Sequence, residues 1–144
     1  MNDMMFQLIR LKKKGFCCAQ IMVTLALEAQ GKTNPDLVRS VGGLCFGING
    51  GGEVCGALSG GACLISLYAG RGSDDEKPDH RHPAMMGELV DWFQAQDYGG
   101  TRCDDILERF PNFGGCGQIV AETYGKCVEI LASHGFDPAV GKNG

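Results

Sequence analysis

This chain has eight cysteines in 144 residues, yet no two of them form a Cys-x-x-Cys pair. The absence excludes the zinc ribbon, the zinc finger, the ferredoxin cluster loop and the thioredoxin motif, all of which need two closely spaced thiols. The haem-attachment motif Cys-x-x-Cys-His is missing too. A surplus of positive charge is also lacking. Thirteen Lys and Arg face 17 Asp and Glu, a net charge of −4, and the pI is about 5.3. Neither nucleic acid nor an anionic lipid surface is then the expected partner. The one basic run, Lys12-Lys13-Lys14, reads as a match to the negative end of a helix dipole. No apolar run reaches the roughly 20 residues that span a bilayer. The longest, Val54 to Ala69, is interrupted by glycines. Met1-Asn2-Asp3 leads into an amphipathic stretch and not into the apolar core of an export signal. The expectation is a cytoplasmic protein without membrane insertion. A phosphate loop is missing, because Gly50-Gly51-Gly52 is not followed by Lys-Ser/Thr. No nucleophile–base pair with a histidine is legible.

What is present is glycine and sulfur. There are 23 glycines, far above the average of about 7%. In a reducing compartment permanent disulfides are disfavoured, so a cysteine-rich chain without an export signal points to metal binding or thiol redox chemistry. Any single cysteine is more simply a small buried hydrophobe. Eight together, several beside glycines, weaken that reading for the set. A length of 144 residues supports one core and one domain, 1–144.

The periodicity is helical nearly throughout. Phe6, Leu8, Ile9 and Leu11 predict a short first helix ending near Gly15. Cys17 to Gln30 follows as a second helix, stopped by Gly31. Asn34-Pro35, a cap followed by Pro at N1, opens a short third helix to about Ser40. Gly42 to Glu53 carries too much glycine for a regular helix. Val54 to Tyr68 is apolar on all sides and predicts a buried central helix, with Gly56, Gly60 and Gly61 admitting close neighbours. Gly70 to Pro83 is a polar loop. Ala84 to Tyr98 is helical with Leu89, Trp92 and Phe93 turned inward. Cys103 to Phe110 and Cys116 to Ser133 complete the set. No segment alternates as a strand would, so the fold class is all-α: a compact helical bundle around a glycine-rich central helix.

Helix geometry prunes the cysteine combinations. Cys55 and Cys63 share a face but lie roughly 12 Å apart along the axis. Cys116 and Cys127 share a face at roughly 16 Å. Only one of each pair can join a common site, since even a disulfide needs Cα atoms within about 7 Å. Cys18, Cys55, Cys103 and Cys116 each fall in the first turn of a predicted helix. Free N–H groups and the positive dipole end there lower a thiol pKa. Cys63 and Cys127 lie in mid-helix, where packing is the better account. Cys17 and Cys45 stay ambiguous. His80 and His82 read as solvated, and His134 as a match to a helix C-terminus.

Gly15-Phe16-Cys17-Cys18-Ala19-Gln20, Gly51-Gly52-Glu53-Val54-Cys55-Gly56-Ala57-Leu58-Ser59-Gly60-Gly61, Cys103-Asp104-Asp105-Ile106-Leu107 and Cys116 carry a resemblance. Over roughly Gly15 to Leu131 the chain resembles the C_GCAxxG_C_C family of putative redox-active proteins. The resemblance implies a small helical protein with four family cysteines. By motif these fall on Cys18, Cys55, Cys103 and Cys116, the four that the helix ends select. Cys17 stands where the family has a polar residue and is a substitute ligand to test. Cys45, Cys63 and Cys127 are additions. A related module implied by the resemblance accompanies split-Soret-type cytochromes, where cysteines hold an iron–sulfur centre.

Three functions compete. The first is electron transfer through an iron–sulfur cluster on Cys18, Cys55, Cys103 and Cys116, since four soft thiolates suit such a centre. Aerobic purification is expected to leave that site empty, disulfide-bonded or zinc-loaded. The second is a metal-free thiol–disulfide oxidoreductase or redox sensor. The third is a structural zinc site in an interaction module. A protein redox partner and self-association are the expected partnerships.

Overall fold

The computed structural model describes residues 3–141. The ends of the 1–144 domain expectation, and the Met1-Asn2 reading, lie outside the described residues. Within them the chain is all-α. Helix α1 (Asp3–Lys13) buries Leu8 and Leu11. Helix α2 (Cys18–Ala29) buries a broad apolar face, including Ala19, Met22 and Val23 at 0% exposure. Asn34 caps α3 (Pro35–Val41), its Oδ1 accepting the Leu37 N–H at 3.1 Å.

The glycine-rich segment is irregular, as its composition requires. A 3-10 turn (Gly42–Leu44) leads into α4 (Cys45–Asn49), a turn in the left-handed region. Phe46, Gly47, Ile48 and Asn49 have φ of 58°, 64°, 64° and 49°. Three of the four are not glycine, and Ile48 is β-branched, so this backbone is strained.

Helix α5 (Gly56–Ala69) starts two residues later than the apolar run suggests. Val54 is 43% exposed, a correction to the expected buried helix from Val54 to Tyr68. Its backbone pairs with Arg102 in an isolated antiparallel bridge and is not helical. The rest of α5 is central: it packs on α2, α6 (His82–Ala95) and α8 (Cys116–Ser133). Gly60 makes the α2–α5 contact possible. A Cβ there would lie 2.8 Å from the Cα of Ala19 and 3.0 Å from the Cβ of Met22. Leu89 and Phe93 of α6 are fully buried, whereas Trp92 is only partly so. The short helix α7 (Cys103–Arg109) follows Gly99 and Gly100, both at positive φ. No helix among the described residues is long and apolar enough to cross a membrane.

Candidate functional site

Two backbone devices carry cysteines toward one place. The first is the Val54–Arg102 bridge. The Cys55 N–H donates to the Thr101 carbonyl at 2.8 Å, and the Cys103 N–H donates to the Glu53 carbonyl at 2.6 Å. Residues flanking a bridge turn to the face opposite the bridged pair, so Cys55 and Cys103 share a side. Glycine permits this approach. A Cβ on Gly47 would sit 2.6 Å from the Glu53 nitrogen and 2.8 Å from the Cys103 Cβ. Gly52, at φ +74°, lies against the Asp104 carboxylate with no room for a side chain.

The second device is the α2–α5 contact. Cys18 opens α2 and Cys55 caps α5. Gly56 faces the Cys18 sulfur so closely that a Cβ would collide with Sγ. The Cys-Gly-Ala-x-x-Gly run therefore has a physical reading. Gly56 makes room for a sulfur, Ala57 is buried in the core at 1% exposure, and Gly60 makes room for the backbone of α2. Cys116 arrives at the first residue of α8.

One cavity of about 160 Å³ is lined by Cys18, Cys55, Cys103 and Cys116 together, and by Cys17. Its other walls are mostly apolar, among them Leu8, Phe16, Ile21 and Val120. Phe46 and Phe113 form a rim: both line the cavity, both are nearly half exposed, and their rings meet edge to face at 5.4 Å. Lys12 lines the cavity too, and a Cβ on Gly117 would come within 3.4 Å of its Nζ. The dipole reading of the lysine run missed this ammonium beside Cys116. No group of three or more His, Cys, Asp or Glu side chains among the described residues is drawn together as a ready cage for a single metal ion.

Burial dominates the thiols. The helix-end argument expects lowered pKa values, but the structure reverses it for three of the four. Desolvation pushes Cys55 up to about 11, against smaller opposing contributions from the backbone N–H groups of Ala57 and Leu58 in the first turn of α5. Cys103 and Cys116 are also raised, first by desolvation and then by the neighbouring Cys18 thiol. Lys12 pulls Cys116 the other way, by less. A thiol taken from water loses more than a dipole end returns, so these groups stand protonated at neutral pH.

The remaining cysteines separate cleanly. Cys63 and Cys127 do not line the cavity. Cys127 is fully buried against Gly61, its thiol 3.8 Å from that carbonyl. Cys17 and Cys45 form a disulfide, their Cα atoms 6.0 Å apart. Permanent disulfides are expected to be disfavoured, and Cys17, read as a substitute ligand, is instead paired with Cys45. The compartment argument concerns average conditions, while the fold sets these two sulfurs side by side. The histidine readings hold only in part. His80 is exposed and His134 stands at the C-terminus of α8, its Nε2 3.0 Å from Glu88, but the His82 Nε2 lies 2.9 Å from the Ser66 Oγ.

A pH dependence follows from the buried thiols. Desolvation raises Cys127 from its ordinary value near 9 to about 12, and Cys55 moves the same way. The unfolded chain releases these protons at lower pH than the folded one. Their contribution is complete below about pH 9 and is lost as pH rises toward about 12. Denaturant unfolding of the metal-free chain is expected to show stability falling across that window, with Cys127→Ala flattening the upper part. A curve flat to pH 12 would contradict the assignment.

Fold and cavity together define a small all-α protein organised around cysteine sulfur. The chain belongs to the family described as "Putative redox-active protein (C_GCAxxG_C_C)", whose family model matches residues 16–130. No curated protein and no solved structure matches it.

Proposed function

We propose that this protein transfers electrons through an iron–sulfur cluster bound by Cys18, Cys55, Cys103 and Cys116. The observation that carries the reading is that these four thiols, from four separate elements, line one largely apolar cavity. The donor set fits the group, since four soft sulfurs favour iron–sulfur, zinc or copper(I) over hard cations. A cluster, when bound, supplies reversible electron transfer at a potential set by its surroundings. The chain's own residues have three tasks. The four thiols give up protons on binding, so loading improves as pH rises. The backbone N–H groups of Ala57 and Leu58 favour the Cys55 thiolate over the thiol, and such positive backbone groups near ligand sulfurs tune potential. Leu8, Ile21 and Val120 exclude water, and Lys12 offsets negative charge near Cys116. The reading rests on the shared cavity and not on a preformed cage for one ion.

Anaerobic reconstitution with iron and sulfide tests it. The expected result is stoichiometric iron and sulfide with a visible charge-transfer band. Substoichiometric iron and a colourless protein, with all four cysteines intact, would reject the cluster. A metal-free thiol–disulfide function is the second reading, favoured by the Cys17–Cys45 disulfide at the cavity.

A further inference from the structure

We propose that Cys17–Cys45 is a second redox site at the edge of the cavity that holds the other four thiols: a thiol–disulfide couple, exchanged with small thiols, that holds the cavity rim when oxidised and frees it when reduced. The inference does not depend on what the four thiols hold.

The two sulfurs differ in access. Cys17 lines the cavity and is partly exposed. Cys45 is 2% exposed. An incoming thiolate therefore attacks the Cys17 sulfur. The bond to Cys45 breaks, and the Cys45 sulfur leaves and takes a proton. A second small thiol then attacks its partner sulfur in the mixed disulfide and releases Cys17 as a thiol. In sum, two small thiols become one small disulfide, and Cys17–S–S–Cys45 becomes two thiols. Re-oxidation runs the same steps backwards: the Cys17 thiolate takes up a small disulfide and releases one small thiol, and the Cys45 thiolate then attacks the Cys17 sulfur and displaces the second.

The consequence comes from what each cysteine begins. Cys17 caps α2 immediately before Cys18. Cys45 opens the left-handed turn that carries Phe46. Phe46, Ile48 and Asn49 occupy a backbone region that L residues avoid. Such a turn persists only while its ends are held. Beyond Phe46 it is held by the Glu53 N–H donating to the Gly47 carbonyl at 3.0 Å and by Gly47 against Cys103. Its near end is fixed to α2 by the disulfide. Reduction removes that tie, and the Phe46 ring can then leave its edge-to-face contact with Phe113, which closes the rim. Oxidation and reduction at one pair of sulfurs thus set the access of small reagents to the other four.

The test uses the full chain purified with a chelator, so that no metal protects the cavity. The protein is equilibrated in buffers of reduced and oxidised dithiothreitol at graded ratios. The Cys17–Cys45 bond is followed by non-reducing peptide mass spectrometry, and N-ethylmaleimide labelling of Cys18 and Cys55 is timed. The expected result is reversible formation of the Cys17–Cys45 bond, with labelling several-fold faster in the reduced state. Cys45→Ser should label fast in every buffer. Should that variant fail to fold, Phe46→Ala serves instead: it should keep the disulfide and still label fast when oxidised. Two outcomes overturn the proposal: Cys17 and Cys45 stay unpaired in oxidising buffer, or pairing leaves the labelling rates unchanged.

Discussion

Replacing any one of Cys18, Cys55, Cys103 or Cys116 by serine is expected to abolish retention of iron after reconstitution, while Cys63→Ser leaves it intact. The two classes differ by position and not by residue type. The first four line the cavity and Cys63 does not. A hydroxyl in place of a thiolate offers a hard, protonated oxygen to a soft site. Losing an outer-shell partner alone costs roughly 10- to 100-fold in metal affinity, so losing a ligand should exceed that. The serine variants should fold, because the swap is nearly isosteric. Cys103, the most buried of the four at 9% exposure, is the one whose thermal midpoint needs checking first. Iron and sulfide per chain, measured anaerobically on all five variants, is the readout. Equal retention in Cys63→Ser and in the cavity variants would remove the cluster from this cavity. If Cys18→Ser alone retained iron, Cys17, freed from its disulfide, would be the replacement ligand.

Most helices were legible because their punctuation is strong. Asn34-Pro35 opens α3, and Cys116 to Ser133 is bounded as the structure has it. The grouping of four cysteines at one cavity was legible from helix ends. Helix ends converge when glycine lets loops pack on them, and Gly47, Gly52 and Gly56 do so here. Three things were not legible. The Val54–Arg102 bridge joins segments 48 residues apart in sequence through backbone atoms, and side-chain periodicity carries no record of such a pairing. The direction of the thiol pKa shifts depends on the degree of burial, which outweighs a helix end known from position alone. The Cys17–Cys45 bond depends on a left-handed turn. Gly47, Asn49 and Gly50 tolerate such a backbone, but Phe46 and Ile48 between them give no warning of it. Lys12 was placed correctly near the end of α1, but its partner, the start of α8, is a tertiary fact.

The two glycines of the Cys-Gly-Ala-x-x-Gly run are expected to fail differently when each is replaced by alanine. Both lie on the face of α5 that meets α2, four residues apart. At position 60 the new methyl would meet backbone, 2.8 Å from the Ala19 Cα and 3.1 Å from its carbonyl oxygen. Backbone inside a packed helix pair cannot turn aside, so the helices must separate. Gly60→Ala should therefore lose about 1–3 kcal/mol, the usual cost of overpacking, offset in part by the better helix propensity of alanine. At position 56 the colliding atom is the Cys18 sulfur, which can rotate about χ1 to another well at modest cost. The fold survives that movement, but the sulfur no longer lies where the cavity has it. Gly56→Ala should thus keep a thermal midpoint near that of the parent chain and lose iron retention as fully as Cys18→Ser. Gly60→Ala should lower the midpoint yet still load iron below it. Thermal unfolding and iron content, measured on both variants, separate the two roles. If Gly56→Ala loads normally, or if both variants lose stability and iron together, the division between sulfur clearance and helix contact is wrong.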